Sequence, residues 1–370
     1  MLQPERFARK GILDLKPYVP GKPIEEVKRE LGLDHIIKLA SNENPIGPSP
    51  AALRALEREL QLQNQYPEAE APMLKTKLAA KLGVSPDNIF ISNGGDNVIS
   101  CAMNSLVNVN ERVIIGHPTF PTYERAAVIA GAEVVKVPLV NFRYDFQAML
   151  RQVNSNTKMV VVCNPNNPTG LLEGRKELEQ FKASLPEDVI LFVDEAYYEF
   201  VDSNDRFDTL SAVRADNPVI SLRTFSKLYG LAGLRVGYAV APKALVQLME
   251  VARDVFSVSR PAQAAAEAAL DDQEFVERSL NVVRQGRQYL FKEFQRLGLE
   301  YLPSQSNFIW VRTKVDSHQL FDYMLRKGII IRPGHIWGYP EYIRVSIGTQ
   351  AQNEQFIKVL EQALIHYDLI

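Results

Sequence analysis

A chain of 370 residues is long enough for one large hydrophobic core and a second, smaller domain. Lys and Arg number 42 against 44 Asp and Glu, so the net charge is −2 and no excess of positive charge favours a nucleic-acid partner. The longest aliphatic runs, such as residues 189–193, fall far short of the roughly 20 residues that a membrane helix needs, and the first residues contain no apolar signal core.

The first 45 residues are interrupted by Pro and Gly, and we expect an arm that joins the C-terminal part of the chain rather than a separate domain. From 46 to 260, short apolar, β-branched runs alternate with amphipathic helical patterns. This alternation predicts an α/β domain with a mostly parallel sheet that is covered on both faces. The predicted strands are 88–92, 112–116, 133–139, 158–165, 189–195, 219–225 and 235–241.

The sequence pattern changes in residues 261–370. Long helical patterns come first, and a small α+β unit follows with strands at "SNFIWVRT", "GIIIRPG" and "YIRVSIGT" before a last helix. The sequence therefore predicts three parts, namely the arm 1–45, a large domain 46–260 and a smaller C-terminal domain 261–370.

The two cysteines, Cys101 and Cys163, are far apart and form no C-x-x-C pair, and the five histidines show no H-E-x-x-H spacing. The pattern predicts neither a disulfide framework nor a metal site. A reducing compartment, the cytoplasm, fits this cysteine usage.

Parallel α/β sheets bind ligands beyond the carboxyl ends of their strands. After the strand at 88–92 come Asn93, two glycines, Asp96 and Asn97, and then a helical pattern. Glycines at a strand-to-helix turn expose backbone N–H groups at a helix N-terminus, which suits a phosphate. The alternative is an ordinary tight turn in which Asp96 caps the helix.

Chemically active side chains follow the next strands as well. These are Phe120 with Tyr123, then Asn167, then Asp194 with Tyr197, and finally Lys227. Each has an ordinary structural reading as a core aromatic, a turn amide, a helix cap or a surface lysine. Their convergence on one sheet edge indicates a binding site, and a lysine at the end of a buried strand is costly unless it has a function.

These residue types are the ones that pyridoxal 5′-phosphate requires. A primary amine can attach its aldehyde and later move a proton, and a carboxylate beside the pyridine nitrogen keeps that nitrogen protonated. Amide and phenol donors suit the ring hydroxyl, and an aromatic face stacks on the ring.

The motifs "NPNNPTG", "DEAYYEF" and "SKLYGLAGLRVGY" occur in this order and spacing. With them, the chain resembles the fold-type I aminotransferases of the aspartate aminotransferase superfamily over essentially its whole length. The resemblance implies a pyridoxal-phosphate-dependent transferase of α/β class. It also implies a seven-stranded, mostly parallel sheet in the large domain and a smaller α+β domain.

The resemblance also assigns roles. Lys227 would hold the cofactor covalently, Asp194 would pair with the ring nitrogen, Tyr197 and Asn167 would reach the ring hydroxyl, and Phe120 would stack on the ring. The cofactor phosphate would be held by Gly95, Asp96, Asn97, Thr224, Ser226 and Arg235. Tyr66 matches a tyrosine that the family lends across a homodimer to the partner's phosphate site; its alternative reading is an exposed loop residue.

Two segments resemble the histidinol-phosphate aminotransferase branch of the superfamily: the arm, with Tyr18 and Asn44, and the "RPG…YIRVSIGT" tail, with Arg332 and Arg344. That branch converts L-histidinol phosphate and 2-oxoglutarate to imidazole acetol phosphate and L-glutamate in histidine biosynthesis. Arg344 would bind phosphate in one half-reaction and carboxylate in the other. Tyr18 would close over the substrate or pack the arm down.

Some features depart from the branch or leave alternatives open. Asn97 stands where an acidic residue is more usual, and Trp337 and Tyr339 add aromatic surface that would suit phenylalanine or tyrosine as substrates. A phosphothreonine decarboxylase would share the scaffold. A cofactor-binding regulator and a nucleotide-dependent oxidoreductase have less support, because no basic DNA-binding extension and no G-x-G-x-x-G motif is present.

Overall fold

The computed structural model describes residues 3–9, 11–15, 17 and 21–370. The described helices are α1 Ile24–Leu31, α2 Pro50–Glu59, α3 Pro72–Leu82, α4 Gly94–Leu106, α5 Thr122–Ala130, α6 Phe146–Gln152, α7 Arg175–Ser184, α8 Thr209–Arg214, α9 Lys243–Val251, α10 Arg260–Asp271, α11 Gln273–Arg296, α12 Ser317–Arg326 and α13 Gln350–His366. None of these helices combines the length and the apolar character needed to cross a membrane.

The described strands are β1 Ile37–Lys38, β2 Ile89–Ser92, β3 Arg112–His117, β4 Glu133–Pro138, β5 Thr157–Cys163, β6 Ile190–Asp194, β7 Val219–Thr224, β8 Gly237–Val240, β9 Glu300–Tyr301, β10 Phe308–Arg312, β11 Ile329–Ile330, β12 Arg332–Pro333 and β13 Tyr342–Ser346. Seven of them form the central sheet in the order β2-β8-β7-β6-β5-β3-β4. Only β8 runs antiparallel to its neighbours. The predicted mostly parallel, seven-stranded α/β sheet is therefore confirmed.

Alternate residues along the sheet strands pack into separate cores on its two faces. Ile115, Val161 and Phe192 lie in one core with helix α4, whereas the preceding residues Ile114, Val160 and Leu191 lie in the other core with α7. Both sets are buried, since successive side chains of a strand point to opposite faces. This burial on both faces explains why the strands read as continuous apolar runs rather than as polar and apolar alternation.

The C-terminal part of the chain contains a second sheet in the order β12-β13-β10-β9, whose strands are all antiparallel. Strand β1 of the arm pairs in parallel with β11 of the C-terminal part. Helix α2 packs extensively against α10. The exact boundaries 1–45, 46–260 and 261–370 stay a prediction.

The segment after the arm lies directly on the loop that follows β7. A Cβ atom added to Gly230 would overlap the carbonyl of Gly47 and lie 2.9 Å from Cα of Pro48. Gly230 also has a φ of +69°, which disfavours any residue with a side chain. The approach of the two backbones therefore requires glycine here.

We predict that Gly230→Ala lowers the free energy of unfolding by about 2–4 kcal/mol, because the substitution combines overpacking with left-handed strain. Gly233→Ala is the matched control in the same segment. Nothing lies within 4 Å of the Cβ that it adds. Urea unfolding of the two variants measures the difference, and equal losses of stability would show that the Gly47–Gly230 approach is not a constraint.

Candidate active site

A cavity of ≈ 390 Å³ opens beyond the carboxyl ends of β5, β6 and β7 and beside the N-terminus of α4. It is lined by residues of the arm, the large sheet and the C-terminal unit. Of the residues predicted for the site, those that line it are Gly95, Asp96, Phe120, Asn167, Asp194, Tyr197, Thr224, Ser226, Lys227, Arg235 and Arg344. The structure thus brings the five strand-end groups together, with Asp194 and Lys227 in one cavity.

Lys227 follows β7 and directs its ammonium group at the arm. Its Nζ donates a hydrogen bond to the carbonyl oxygen of Ser41 at 3.0 Å. Burial, with a smaller contribution from the nearby charge of Arg344, lowers the pKa of Lys227 from 10.5 to about 8. An amine with such a pKa is partly neutral at physiological pH, which nucleophilic attack and proton transfer both need.

Asp194 ends β6, and both of its carboxylate oxygens accept hydrogen bonds. The hydroxyl of Tyr123 donates to Oδ2 at 2.5 Å, and the backbone N–H of Ala196 donates to Oδ1 at 2.9 Å. Burial raises the pKa of Asp194 to about 6, and the two donors oppose that rise. The carboxylate is therefore charged at neutral pH and available to a cationic partner in the cavity.

One end of the cavity lies at the N-terminus of α4, where backbone segments are in close contact. A Cβ on Gly237 would lie 2.6 Å from backbone atoms of Gly94 and Gly95, and a Cβ on Gly94 would collide with the Arg235 guanidinium. This end of the cavity brings together the first turn of α4, Thr224, Ser226 and Arg235, which are groups that can donate hydrogen bonds to an anion.

Arg344 occupies the opposite part of the site. Its guanidinium donates to Oδ1 of Asn167 and to the carbonyl oxygen of Ala40, each at 2.6 Å. It also lies 5.2 Å from the ring centroid of Phe308 and 5.5 Å from that of Trp337. These contacts orient a buried cation towards the cavity. Arg332 lies opposite Arg344 in the β12–β13 pair and is buried, but it does not line the cavity.

Asn42 is a site residue that the sequence reasoning missed. Its amide donates to the Tyr197 hydroxyl at 3.0 Å, and its side chain and backbone both bond to Ser346. Asn44, which the sequence analysis selected, instead donates to the carbonyl of Leu228 and the hydroxyl of Ser279 and does not line the cavity. The geometry therefore favours Asn42 over Asn44 for this segment.

Asn97 and Tyr66 do not line the cavity in the part of the chain that the structure describes. The Asn97 side chain bonds to the Ser92 hydroxyl, behind the cavity wall, so only its backbone is available for the predicted role. Tyr66 is 78% exposed, stacks on Phe256 at 4.5 Å and does not line this chain's own cavity. Tyr18 lies outside the described residues.

Trp337 and Tyr339, which were predicted to add aromatic surface, also do not line the cavity. Trp337 lies behind Arg344, and its indole N–H donates to the carbonyl of Thr119 at 3.0 Å, next to Phe120. Tyr339 packs edge-on against Trp310 and Tyr342. Trp337 therefore supports two walls of the cavity rather than forming one.

The groups of the cavity fit pyridoxal 5′-phosphate. Its phosphate suits the glycine cradle at α4 with Arg235, where the close backbone approach leaves room for no side chain. A lysine with a lowered pKa and a buried, charged aspartate line the same cavity, as an aldehyde and a pyridine nitrogen require.

Comparison with known proteins agrees with this chemistry. Residues 34–360 match the family described as aminotransferase class I and II. A histidinol-phosphate aminotransferase of Moorella thermoacetica is 46% identical over 357 residues, which cover 96% of this chain and 92% of that protein. A histidinol-phosphate aminotransferase of Geobacillus sp. (strain WCH70) is 44% identical over 356 residues, or 96% and 98% of the two chains.

The fold is also similar to solved structures. One is the crystal structure of histidinol-phosphate aminotransferase from Sinorhizobium meliloti in complex with pyridoxal 5′-phosphate. It matches with a TM-score of 0.87 at 29% identity, and the match covers 96% of this chain and 98% of that one.

We predict that Lys227→Met stabilises the cofactor-free protein at pH 7 by roughly 1–3 kcal/mol, because it removes a partly buried ammonium group whose charge the surroundings disfavour. The folded-state pKa of about 8 lies below the ordinary 10.5, so the charged lysine destabilises the fold below about pH 8. This cost disappears as the pH rises towards 10.5, and the gain of the variant should disappear with it.

Denaturant unfolding of both proteins between pH 7 and pH 10 measures the gain. Lys243→Met is the control, since the Lys243 side chain is 60% exposed and its ion pair with Asp87 lies at the surface. Loss of stability in Lys227→Met at pH 7 would contradict the assignment of a costly buried charge.

Proposed function

Because this chain belongs to the class I and II aminotransferase family, we propose that it transfers the amino group of L-histidinol phosphate to 2-oxoglutarate. The products are imidazole acetol phosphate and L-glutamate, and the pathway is histidine biosynthesis. The enzyme depends on pyridoxal 5′-phosphate. The observation that carries the proposal is the presence of Lys227, Asp194 and Arg344 in one cavity.

The cofactor, when bound, supplies an aldehyde that takes up the amino group and a ring that withdraws electrons from the reacting carbon. Lys227 would hold it covalently, and its amine would also move a proton between two carbon atoms. Asp194 would keep the ring nitrogen protonated through its charged carboxylate. The lowered pKa of Lys227 supports the role of proton carrier near neutral pH.

Other cavity residues would bind and orient the cofactor. Tyr197 and the amide of Asn167 would donate to the ring hydroxyl, and Phe120 would stack on the ring. The phosphate would be held by backbone N–H groups of Gly95, Asp96 and Asn97, the hydroxyls of Thr224 and Ser226, and Arg235. The hydrogen bond between Asn42 and Tyr197 supports the orientation of the phenol.

Arg344 would bind the anionic end of both substrates in turn. A guanidinium group forms paired hydrogen bonds with either a phosphate or a carboxylate, so one residue serves the two half-reactions. Arg332, directly opposite on β12, would add positive charge to this end. Tyr18, which lies outside the described residues, would close over the substrate or pack the arm down.

We also propose a homodimer in which Tyr66 reaches the cofactor phosphate of the partner subunit. Support comes from a cluster of exposed apolar side chains around this residue. Tyr66 stacks on Phe256, and Val255 and Val251 nearby in the chain are 75% and 86% exposed. Apolar surface of this kind marks protein interfaces.

The proposed location is the cytoplasm. Cys101 and Cys163 are both free thiols and both are buried. Burial raises the pKa of Cys101 to about 11 and that of Cys163 well above its ordinary value, so both thiols stay protonated and unreactive. This cysteine usage supports a reducing compartment.

We predict that Lys227→Ala abolishes the visible absorbance of the covalently bound cofactor and lowers turnover by a factor on the order of 10⁴, because no amine is left to move the proton. Lys243→Ala, at an exposed lysine, should retain both properties. Absorption spectra and rates of the purified variants provide the test. Appreciable turnover by folded Lys227→Ala would remove Lys227 from its role.

We predict that the holoenzyme reacts with histidinol phosphate at concentrations at least about tenfold lower than with histidinol, which lacks an anionic group, because Arg344 forms a charge-assisted pair with the phosphate. Loss of the visible cofactor band in single half-reactions measures both. Arg344→Gln should remove most of that preference.

Two other results would indicate a different reaction. A preference for phenylalanine or tyrosine would indicate an aromatic amino acid aminotransferase. Release of carbon dioxide from phosphothreonine would indicate the decarboxylase reaction instead.

A further inference from the structure

Tyr123 is a buried residue to which the proposed mechanism gives no role. Its hydroxyl donates to Oδ2 of Asp194 at 2.5 Å, across 71 positions of sequence. The side chain is fully buried in the first turn of α5. It does not line the cavity, so it contacts the aspartate from behind.

The surroundings fix this hydroxyl in place. The Tyr123 ring packs edge-on against Phe120, with ring centroids 5.8 Å apart, and lies in the core beneath α4 and α5. Phe120 itself lines the cavity. The segment from Phe120 to the first turn of α5 therefore provides both the aromatic wall of the cavity and the hydrogen-bond donor to its carboxylate.

Asp194 shares the cavity with the cationic side chains of Lys227, Arg235 and Arg344, but none of them is among the main causes of its pKa shift. The titratable groups around it are Tyr123 from α5, Cys163 from β5, Asp96 from α4, and Glu195 and Tyr197 from its own segment. Burial and two of these carboxylates, Asp96 and Glu195, favour the neutral acid. Hydrogen-bond donors oppose them, and among these donors the Tyr123 hydroxyl has the largest effect.

Tyr123 is suited to be a permanent donor. Burial and the adjacent Asp194 raise its pKa well above the ordinary value of 10, so it stays protonated at any pH at which the protein works. The N–H of Ala196 holds the other carboxylate oxygen at 2.9 Å. Two donors on two oxygens fix the plane of the carboxylate.

We propose that Tyr123 is a positioning residue that holds the Asp194 carboxylate charged and oriented towards the ring nitrogen of the cofactor. The proposal rests on the proposed function only in that Asp194 pairs with that nitrogen, and it does not depend on which amino donor is used. It predicts that removal of the hydroxyl weakens recognition of the ring nitrogen itself. A buried tyrosine with a merely structural hydroxyl would leave that recognition unchanged.

The test is a competition for the full-length enzyme between pyridoxal 5′-phosphate and its 1-deaza analogue, in which carbon replaces the ring nitrogen. The equilibrium ratio of the two bound molecules reports the Asp194–nitrogen pair together with the protonation of the ring nitrogen itself, since binding of the phosphate affects both molecules equally. The second contribution is common to the wild type and the variants, so a difference between them reports the Asp194 side of the pair. In the wild-type protein the preference for the natural cofactor should fall as the pH drops below about 6, where Asp194 becomes protonated.

In Tyr123→Phe the same fall should begin about one pH unit higher or more, because a hydrogen bond to a charged group has been removed. Tyr144→Phe is the matched control. The Tyr144 hydroxyl is also buried, accepts a hydrogen bond from the N–H of Cys163 at 3.0 Å, and does not touch Asp194. The midpoint, meaning the pH at which half of the preference for the natural cofactor is lost, should be the same in Tyr144→Phe as in the wild type.

An unchanged midpoint in Tyr123→Phe, or an equal shift in Tyr144→Phe, would overturn the proposal while the wild-type preference stands. Absence of any preference in the wild type would overturn the pairing of Asp194 and the proposal with it. Should Tyr123→Phe fail to fold, a fluorinated tyrosine at position 123 keeps the size of the ring and donates more strongly. Its midpoint should then be lower than in the wild type, and an equal or higher one would overturn the proposal.

Discussion

The burial of two opposite charges at the ends of adjacent strands is the constraint on which the rest of the site depends. Asp194 is the last residue of β6, and Lys227 follows the end of β7, its parallel neighbour. Neither charge is stable in such a place without compensation, and each pKa is displaced towards the neutral form. A ligand with a cationic nitrogen and an electrophilic carbon relieves both costs, so the fold is prepared for such a ligand before it binds.

The anion sites at the two ends of the cavity follow from the same topology. Arg235 and the N-terminus of α4 meet at one end because Gly94 and Gly237 allow the backbones to touch. Arg344 reaches the other end from β13 of the C-terminal unit, held by the carbonyl of Ala40 in the arm. The cofactor phosphate and the substrate anion would therefore bind to different parts of the chain.

Much of this arrangement could be predicted from the sequence, because apolar runs between turn signals locate strands, and the strand ends locate the site. The choice between Asn42 and Asn44 could not be made from sequence, since it depends on the left-handed turn at Asn42, with φ 56°, that directs its amide to Tyr197. The hydrogen bond from Tyr123 to Asp194 could not be predicted from sequence either, because the helical pattern around Tyr123 gives no information about a strand residue 71 positions away. The proposed role of Tyr66 differs from both, because it depends on contact with a second copy of the chain.

One amine, that of Lys227, would attach the cofactor. Borohydride reduction of the holoenzyme makes that attachment permanent, and peptide mapping by mass spectrometry then locates it. We expect a phosphopyridoxyl group on the peptide that contains Lys227 and on no other lysine. A modified peptide that lacks Lys227, or reduction that leaves the chain unmodified, would contradict it.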